Sequence, residues 1–323
     1  LRAKLFFGGI LLWHNFKKTK ILLHLSFKQK RISLLEPFNP MKIGFWNIAG
    51  NSSPALQTLV EGFAQENDLD IMVLLECKIS ETSLLQGLNR DKKSLYFWSR
   101  SFVPRNYFKV FTKLEDRFSE VIEEERRIQA RRVIDPAYGQ FSLILLHYPS
   151  KLFWDGSDQI AQTFELKHFI DGVENKTGHD RTVVIGDFNM NPFEQGMVQT
   201  TGLHTTMDRR IAELGSRIVQ TRSYKFFYNP MWSFYGEKGK GGVNSSYFYS
   251  SSSPVTYFWN IFDQVILRPS LLPAFDEDSL QILTQIGSQN LLNKDGVVDT
   301  SFSDHLPVIF EIKLNHIHYA TSG

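Results

Sequence analysis

Three features of the 323-residue chain predict an α/β fold. A strand, helix, strand unit starts at Lys42, and short apolar runs then alternate with amphipathic stretches as far as Leu314. No repeat, Pro-rich linker or low-complexity tract divides the chain. The composition, 42% hydrophobic and 14% aromatic, excludes a disordered, collagenous or coiled-coil protein. The length suits one large domain, or at most two small ones, with a sizeable core.

Taken in order, Lys42 to Asn47 is a short apolar run suited to a buried strand. Pro54 to Glu66 has helical spacing through Leu56, Leu59, Val60 and Phe63, and Ile71 to Leu75 is a second buried run. Tyr96 to Phe102, Asn106 to Thr112 and Phe141 to Leu146 read as strands, the last ending at His147. Ser157 to Glu174 reads as a helix with Ile160, Phe164, Phe169 and Ile170 along one side. Arg181 to Ile185, Phe262 to Leu267 and Pro307 to Leu314 complete the strands. Glu123 to Arg132 reads as an exposed edge strand or helix, its acids offsetting its bases. The Gly- and Ser-rich stretches Tyr235 to Val243 and Ser245 to Pro254 read as surface loops.

Charge is unevenly spread. Residues 1–40 hold eight Lys and Arg against one acid, a balance of +7, while the remainder holds 28 bases against 33 acids, a balance of −5. The body is therefore acidic, and nucleic-acid binding would need a local basic patch. The apolar run Leu5 to Trp13 is too short to span a membrane, and HNFKKTK offers no signal-peptide cleavage site. Met41 opens MKIGFWNIAGN, the natural start of a first strand, so residues 1–40 are expected to be a disordered leader or upstream extension outside the fold. A lone Cys77 can form no intramolecular disulfide and no Cys-based zinc site, which points to a reducing, cytoplasmic setting.

Chemistry-bearing residues gather where predicted strands end: Asn47, Glu76, His147, Asp187, Asn189, Asp263, Asp304 and His305. Polar groups there are costly to bury unless paired, so their recurrence suggests a shared site. Singly, each has a plainer reading: Asn47 as a turn residue, His147 as a satisfied core histidine. Two segments are more specific. In VVIGDFNMNP, Asp187 and Asn189 share one face of an extended backbone, Gly186 permits close passage, and Asn191-Pro192 forces a turn. In SFSDHLPVIFEI, Asp304 and His305 stand at the mouth of a buried strand, and a distant carboxylate orienting that imidazole would make a general acid or base.

GDFNMNP followed by SDHLPV, with WNI near the start and LLE after the first helix, resembles the endonuclease/exonuclease/phosphatase superfamily over about Met41 to Leu314. The resemblance implies a deoxyribonuclease I-like, four-layered α/β sandwich: two packed mixed β-sheets flanked by helices, with the active site at one end. It implies phosphate-ester hydrolysis with Mg²⁺ or Mn²⁺. Carried over by position, Asn47, Glu76 and Asp304 look like metal-site residues, and Asp187 looks like the group that activates water. Asn189 would bind phosphoryl oxygens, and His305 would be the acid or base, oriented by Asp263. His147 resembles the histidine that contacts the scissile phosphate in the deoxyribonuclease and sphingomyelinase branches. Hard oxygen donors of this kind suit such a cation.

The departures bear on substrate. Leu75 stands where many members have Gln. Lys78 resembles the Glu-x-Lys arrangement of AP endonucleases and could anchor substrate, although a solvated lysine reads almost as well. Trp259 is out of register with that branch's pocket tryptophan, and that branch does not usually carry a histidine where His147 stands, so an abasic-site enzyme is not expected. The long aromatic insertion near 202–260 is expected mostly to pack against the sandwich, with Trp232 in FYNPMWSFYG as a candidate substrate rim beside Lys238 and Lys240. Three functions remain: a phosphodiesterase acting on nucleic acid, a hydrolase of a small-molecule or phospholipid-headgroup phosphate ester, and a non-catalytic binding module. The partner expected is a phosphate-ester substrate, with no membrane span and no obligate protein partner.

Overall fold

Strand β1 (Met41–Asn47) and strand β2 (Ile71–Leu75) lie parallel, joined through helix α1 (Pro54–Glu66), as the opening periodicity predicts. They belong to a computed structural model that describes residues 40–316 apart from 92–94, 105, 153 and 237–244. The expected leader, and Lys238 and Lys240, lie outside the described residues. The N-terminus of α1 is set by Ser53, whose hydroxyl accepts from the Leu56 N–H, and by Pro54. Helix α2 (Glu81–Leu88) follows, then β3 (Phe97–Ser99) and β4 (Phe108–Thr112). With the late strands Phe275–Ile282 and Val308–Ile312 these make a six-stranded sheet, ordered Phe275–Ile282, Val308–Ile312, β1, β2, β4, β3.

The second sheet has seven strands. Its order is β5 (Ser119–Glu124), β6 (Ile128–Asp135), β7 (Gly139–His147), β8 (Thr182–Asp187), Asp263–Leu267, Phe227–Tyr228, Thr205–Thr206. β7 and β8 are parallel and joined by helix α3 (Gly156–Thr177). Both sheets are therefore mixed.

Strand periodicity shows how the layers pack. Leu143, Leu145, Val183, Ile185, Val265 and Leu267 join one apolar cluster with Ile43 and Phe45 of the first sheet. Their neighbours Ile144, Leu146, Val184 and Ile266 belong to a second cluster with Leu166, Ile170 and Val173 of α3. On the first sheet, Trp46 meets Phe63 of α1 edge to face at 5.8 Å, and a side chain at Gly44 would collide with Phe63 and Leu69. The order is thus α1 and α2, sheet, sheet, α3, the four-layered sandwich expected.

Several expectations are corrected. Tyr96 to Phe102 contracts to three strand residues, because Phe102 is solvent-exposed and Tyr96 instead donates its hydroxyl to Leu69 O. Glu123 to Arg132 is not one exposed element: it holds the end of edge strand β5, a turn, and half of interior strand β6, where Arg131 is fully buried and bound to Gln129 and Ser119. Ser245 to Pro254 is only partly loop, since Tyr247–Phe248 pairs with Trp259–Asn260. The insertion divides: Phe226, Phe227 and Tyr228 are buried, while Tyr249, Tyr257 and Phe258 remain exposed.

Candidate active site

Strand parity brings the chemistry together. His147, Asp187 and Asp263 are adjacent in register across the second sheet, and each has the parity of its strand's inward residues. Asn47 likewise shares the parity of Ile43 and Phe45 and ends β1 opposite Leu75. Glu76 follows Leu75 with φ +50, a left-handed conformation that turns the chain away from the sheet. Asn189, at φ +49, makes the equivalent turn after β8. Gly186 passes so close to β7 that a Cβ would sit 1.9 Å from the Leu146 carbonyl oxygen, and its φ of +150 also demands glycine.

Asp187 lies at the centre, 2% exposed. Oδ1 accepts from the Asn189 backbone N–H at 2.8 Å, and Oδ2 accepts from Asn189 Nδ2 at 3.0 Å and Asn47 Nδ2 at 3.2 Å. The Nε2 atoms of His305 and His147 lie 3.9 and 4.0 Å from Oδ2. Burial pushes this carboxyl up to about 6; the positive field of His305 opposes the rise and the Asp263 charge adds to it.

His305 is fixed from four sides. Nδ1 lies 2.7 Å from Asp263 Oδ2, its backbone N–H donates to Ser303 Oγ, its carbonyl accepts from Trp46 Nε1 at 2.9 Å, and Tyr247 packs on its ring at 4.7 Å. The WNI segment is thereby explained: Trp46 anchors the SDH loop, while Ser303 ties that loop to the Asn47 carbonyl. Burial, the largest single influence, disfavours charge on the imidazole, but the charge and hydrogen bond of Asp263 together with the charges of Asp187 and Asp304 outweigh it and raise its pKa to about 10. Nε2 stands 3.9 Å from both Asp187 Oδ2 and Asp304 Oδ1.

His147 is held differently. Arg127 Nη1 lies 3.3 Å from its Nδ1, and a guanidinium only donates, so Nδ1 accepts and Nε2 carries the hydrogen donated to Glu76 Oε1 at 3.0 Å. Tyr107 packs on its ring at 4.7 Å. The bond from His147 lowers the Glu76 pKa; partial burial opposes this, and the charges of His147, His305 and Arg127 assist it.

The donor set fits a hydrated divalent cation. Asp187 and Asp263 are sealed, whereas Glu76 and Asp304 have side chains 36% and 39% exposed, and Asp304 Oδ1 is a buried oxygen without a hydrogen-bond partner. Asn47 Oδ1 accepts from the Ala49 N–H and keeps a second lone pair. Among the described residues no three His, Cys, Asp or Glu side chains form a cage. Mg²⁺ needs none, since it takes one or two carboxylates and retains water.

Lys78 is exposed and lies against Gly50, where a Cβ would meet its Nζ at 3.1 Å. Trp232 packs on Phe193 and Tyr235, one aromatic layer behind Tyr257. Asn189 departs from expectation in detail: both amide hydrogens are spent, on Tyr148 O and Asp187, so a phosphoryl contact requires it to exchange one. Sequence reasoning missed Tyr107, Arg127, Tyr247 and Ser303. Of these only Ser303, two residues before His305 in SFSDH, carried a signal, as a local side-chain-to-backbone bond.

No protein-family model and no curated protein matches the chain. Solved structures do resemble it. The endonuclease domain of TRAS1, a telomere-specific non-LTR retrotransposon, is 14% identical, covering 86% of this chain and all of that one, with a TM-score of 0.48. D. rerio TDP2 complexed with single strand DNA product is 17% identical, over 85% of this chain and 99% of that one, TM-score 0.47. A protein from Leptotrichia buccalis described as endonuclease/exonuclease/phosphatase family is 14% identical, over 84% and 99%, TM-score 0.49. The fold assignment rests on the sheets themselves.

Proposed function

We propose that residues 41–323 form a single endonuclease/exonuclease/phosphatase-type domain that hydrolyses phosphodiester bonds with the help of Mg²⁺ or Mn²⁺. The observation carrying this reading is the His305–Asp263 pair at 2.7 Å, facing Asp187 across 3.9 Å at the mouth of the sandwich. A charged imidazole and a carboxyl raised to about 6 are matched to opposite tasks near neutral pH.

Asp187 takes a proton from water at Oδ2. Its three N–H donors and the two imidazoles beside it fix the direction of that oxygen. His305 gives its Nε2 proton to the departing alkoxide, and Asp263 holds Nδ1 so that Nε2 faces the reaction. His147, donating through Nε2, steadies Glu76 and presents an N–H towards a phosphoryl oxygen. Glu76, Asp304 and Asn47 Oδ1 would hold the cation, which when bound supplies positive charge to the phosphoryl oxygens. Hydrolysis of a dinucleoside monophosphate that needs Mg²⁺ and is lost in His305→Ala tests the reading.

Cys77, buried and unpaired, has its thiol pushed up to about 11 by burial, consistent with a structural residue of a reducing, cytoplasmic setting. Among the described residues no helix is long and apolar enough to cross a membrane.

A further inference from the structure

Beside Asn189 opens a cavity of about 330 Å³, walled chiefly by Tyr247, Tyr249, Tyr257, Phe262 and Lys151. It is continuous with the site: Tyr247 packs on His305, and Phe262 immediately precedes Asp263. Tyr249 and Tyr257 are about half exposed, which leaves ring faces open, and Ser251, Ser253 and Thr256 add neutral hydroxyls. Among the described residues no carboxylate lines it, and Lys151 is paired with Glu194. An aromatic wall with a few neutral polar groups suits a flat, uncharged ring.

The surroundings give direction. Arg126 and Arg127 lie against Tyr107, at 5.1 and 4.6 Å from its ring, and Tyr107 in turn packs on His147. Among the described residues neither arginine forms an ion pair: Glu123 is engaged by Lys176, Glu124 by Gln129 and Ser101, and the exposed Glu125 makes no salt bridge to either arginine. Past Tyr257 the surface changes character: a second cavity, about 550 Å³, is walled by Asp155 and Glu194. The start of α3 offers no anion site there, since Asp155 already occupies the Ser157 and Asp158 N–H groups.

We propose that the cavity between Asn189 and Tyr257 seats an unpaired base at the end of a single-stranded nucleic acid, whose remaining phosphates run towards Arg126 and Arg127. This rests on the phosphodiesterase reading above and narrows its substrate. Stacking on tyrosine holds the base, the guanidinium groups of Arg126 and Arg127, which no carboxylate pairs, hold phosphates, and the Asp155 carboxylate repels any phosphate beyond the terminal nucleotide.

The test separates binding from chemistry. Oligonucleotides of about ten nucleotides carrying 2-aminopurine at the 5′ end, the 3′ end or the middle are titrated with the full chain in EDTA. The expected result is fluorescence quenching at one end and little in the middle. Tyr257→Ala should weaken binding of that end-labelled strand about tenfold, and Tyr257→Phe, which keeps the ring, should restore it. Equal quenching at all three positions, no quenching at either end, or no change in Tyr257→Ala would overturn the proposal. So would quenching relieved by phosphatidylcholine vesicles but not by unlabelled strand. Methyl p-nitrophenyl phosphate, which has no base, is assayed in parallel with Mg²⁺: its failure to turn over counts against the phosphodiesterase reading and leaves the fluorescence result standing.

Discussion

Replacing Asp263 by Asn removes one negative charge and keeps the shape of the site. In the native protein the His305 imidazole is raised from 6.5 to about 10, a preference for the imidazolium of about 5 kcal/mol. Burial is the largest single influence and opposes that charge, and Asp263 is the largest influence favouring it, being both the nearest carboxylate and the hydrogen-bond partner at 2.7 Å. Without it, Asp187 and Asp304 at 3.9 Å are left to offset burial, so the imidazole should titrate near or below 7. At pH 8 most of the general acid is then lost, and kcat should fall about 10²- to 10⁴-fold. The alkaline limb of the rate profile should move down from about 10 by several pH units. The assay is hydrolysis of a dinucleoside monophosphate, whose alkoxide leaving group needs the proton, from pH 5 to 10.5, with far-UV circular dichroism to confirm folding. A variant that retains native kcat and the native alkaline limb would refute the dyad.

Other outcomes follow from the same geometry. The acidic limb of the native profile should fall near pH 6, where Asp187 takes up its proton, and an activity flat down to pH 4 would exclude it as the base. In EDTA the two raised groups act in separate windows. The stability His305 contributes is whole below about 6.5 and fades as pH rises to about 10, while that of Asp187 fades between about 3.8 and 6. Thermal melts should therefore weaken from pH 7 to 10, and Asp263→Asn should flatten the decline. Glu76→Gln should raise the Mg²⁺ concentration for half-maximal rate by tenfold or more, because one of two half-exposed carboxylates is lost; an unchanged Mg²⁺ titration would remove Glu76 from the metal site. Gly186→Ala forces a methyl into the Leu146 carbonyl and should cost more than about 3 kcal/mol in urea unfolding.

Much of the site was legible because strand ends are legible. Apolar runs that stop at Asn47, Leu75, His147 and Asp187 mark where the backbone leaves the sheet, and parity then decides which side chains face inward. What stayed hidden depends on pairing between distant segments. Trp46 bonds to a residue 259 positions away, Tyr247 meets His305 through an isolated bridge, and Arg127 reaches His147 from the turn before β6. Charge counting along the sequence set the acids of Glu123 to Arg132 against its bases. In the fold Glu123 pairs with Lys176 and Glu124 bonds to Gln129, and the arginines are left against Tyr107. Helix α2, at eight residues with Leu84 and Leu88 buried, is too short for periodicity to reveal. Asn189 shows the limit of assigning a role by position, since its amide hydrogens serve Asp187 and Tyr148 before any substrate arrives.

Metal-dependent phosphodiester hydrolysis through the His305–Asp263 pair is most directly tested by one comparison. Turnover of a dinucleoside monophosphate, whose leaving group is an alkoxide, is measured for the native chain and for His305→Ala, each with Mg²⁺ and with EDTA. The account requires turnover in the native chain with Mg²⁺, none in EDTA, and a loss of at least about 10²-fold in His305→Ala. Turnover that survives either EDTA or the loss of His305 would contradict it.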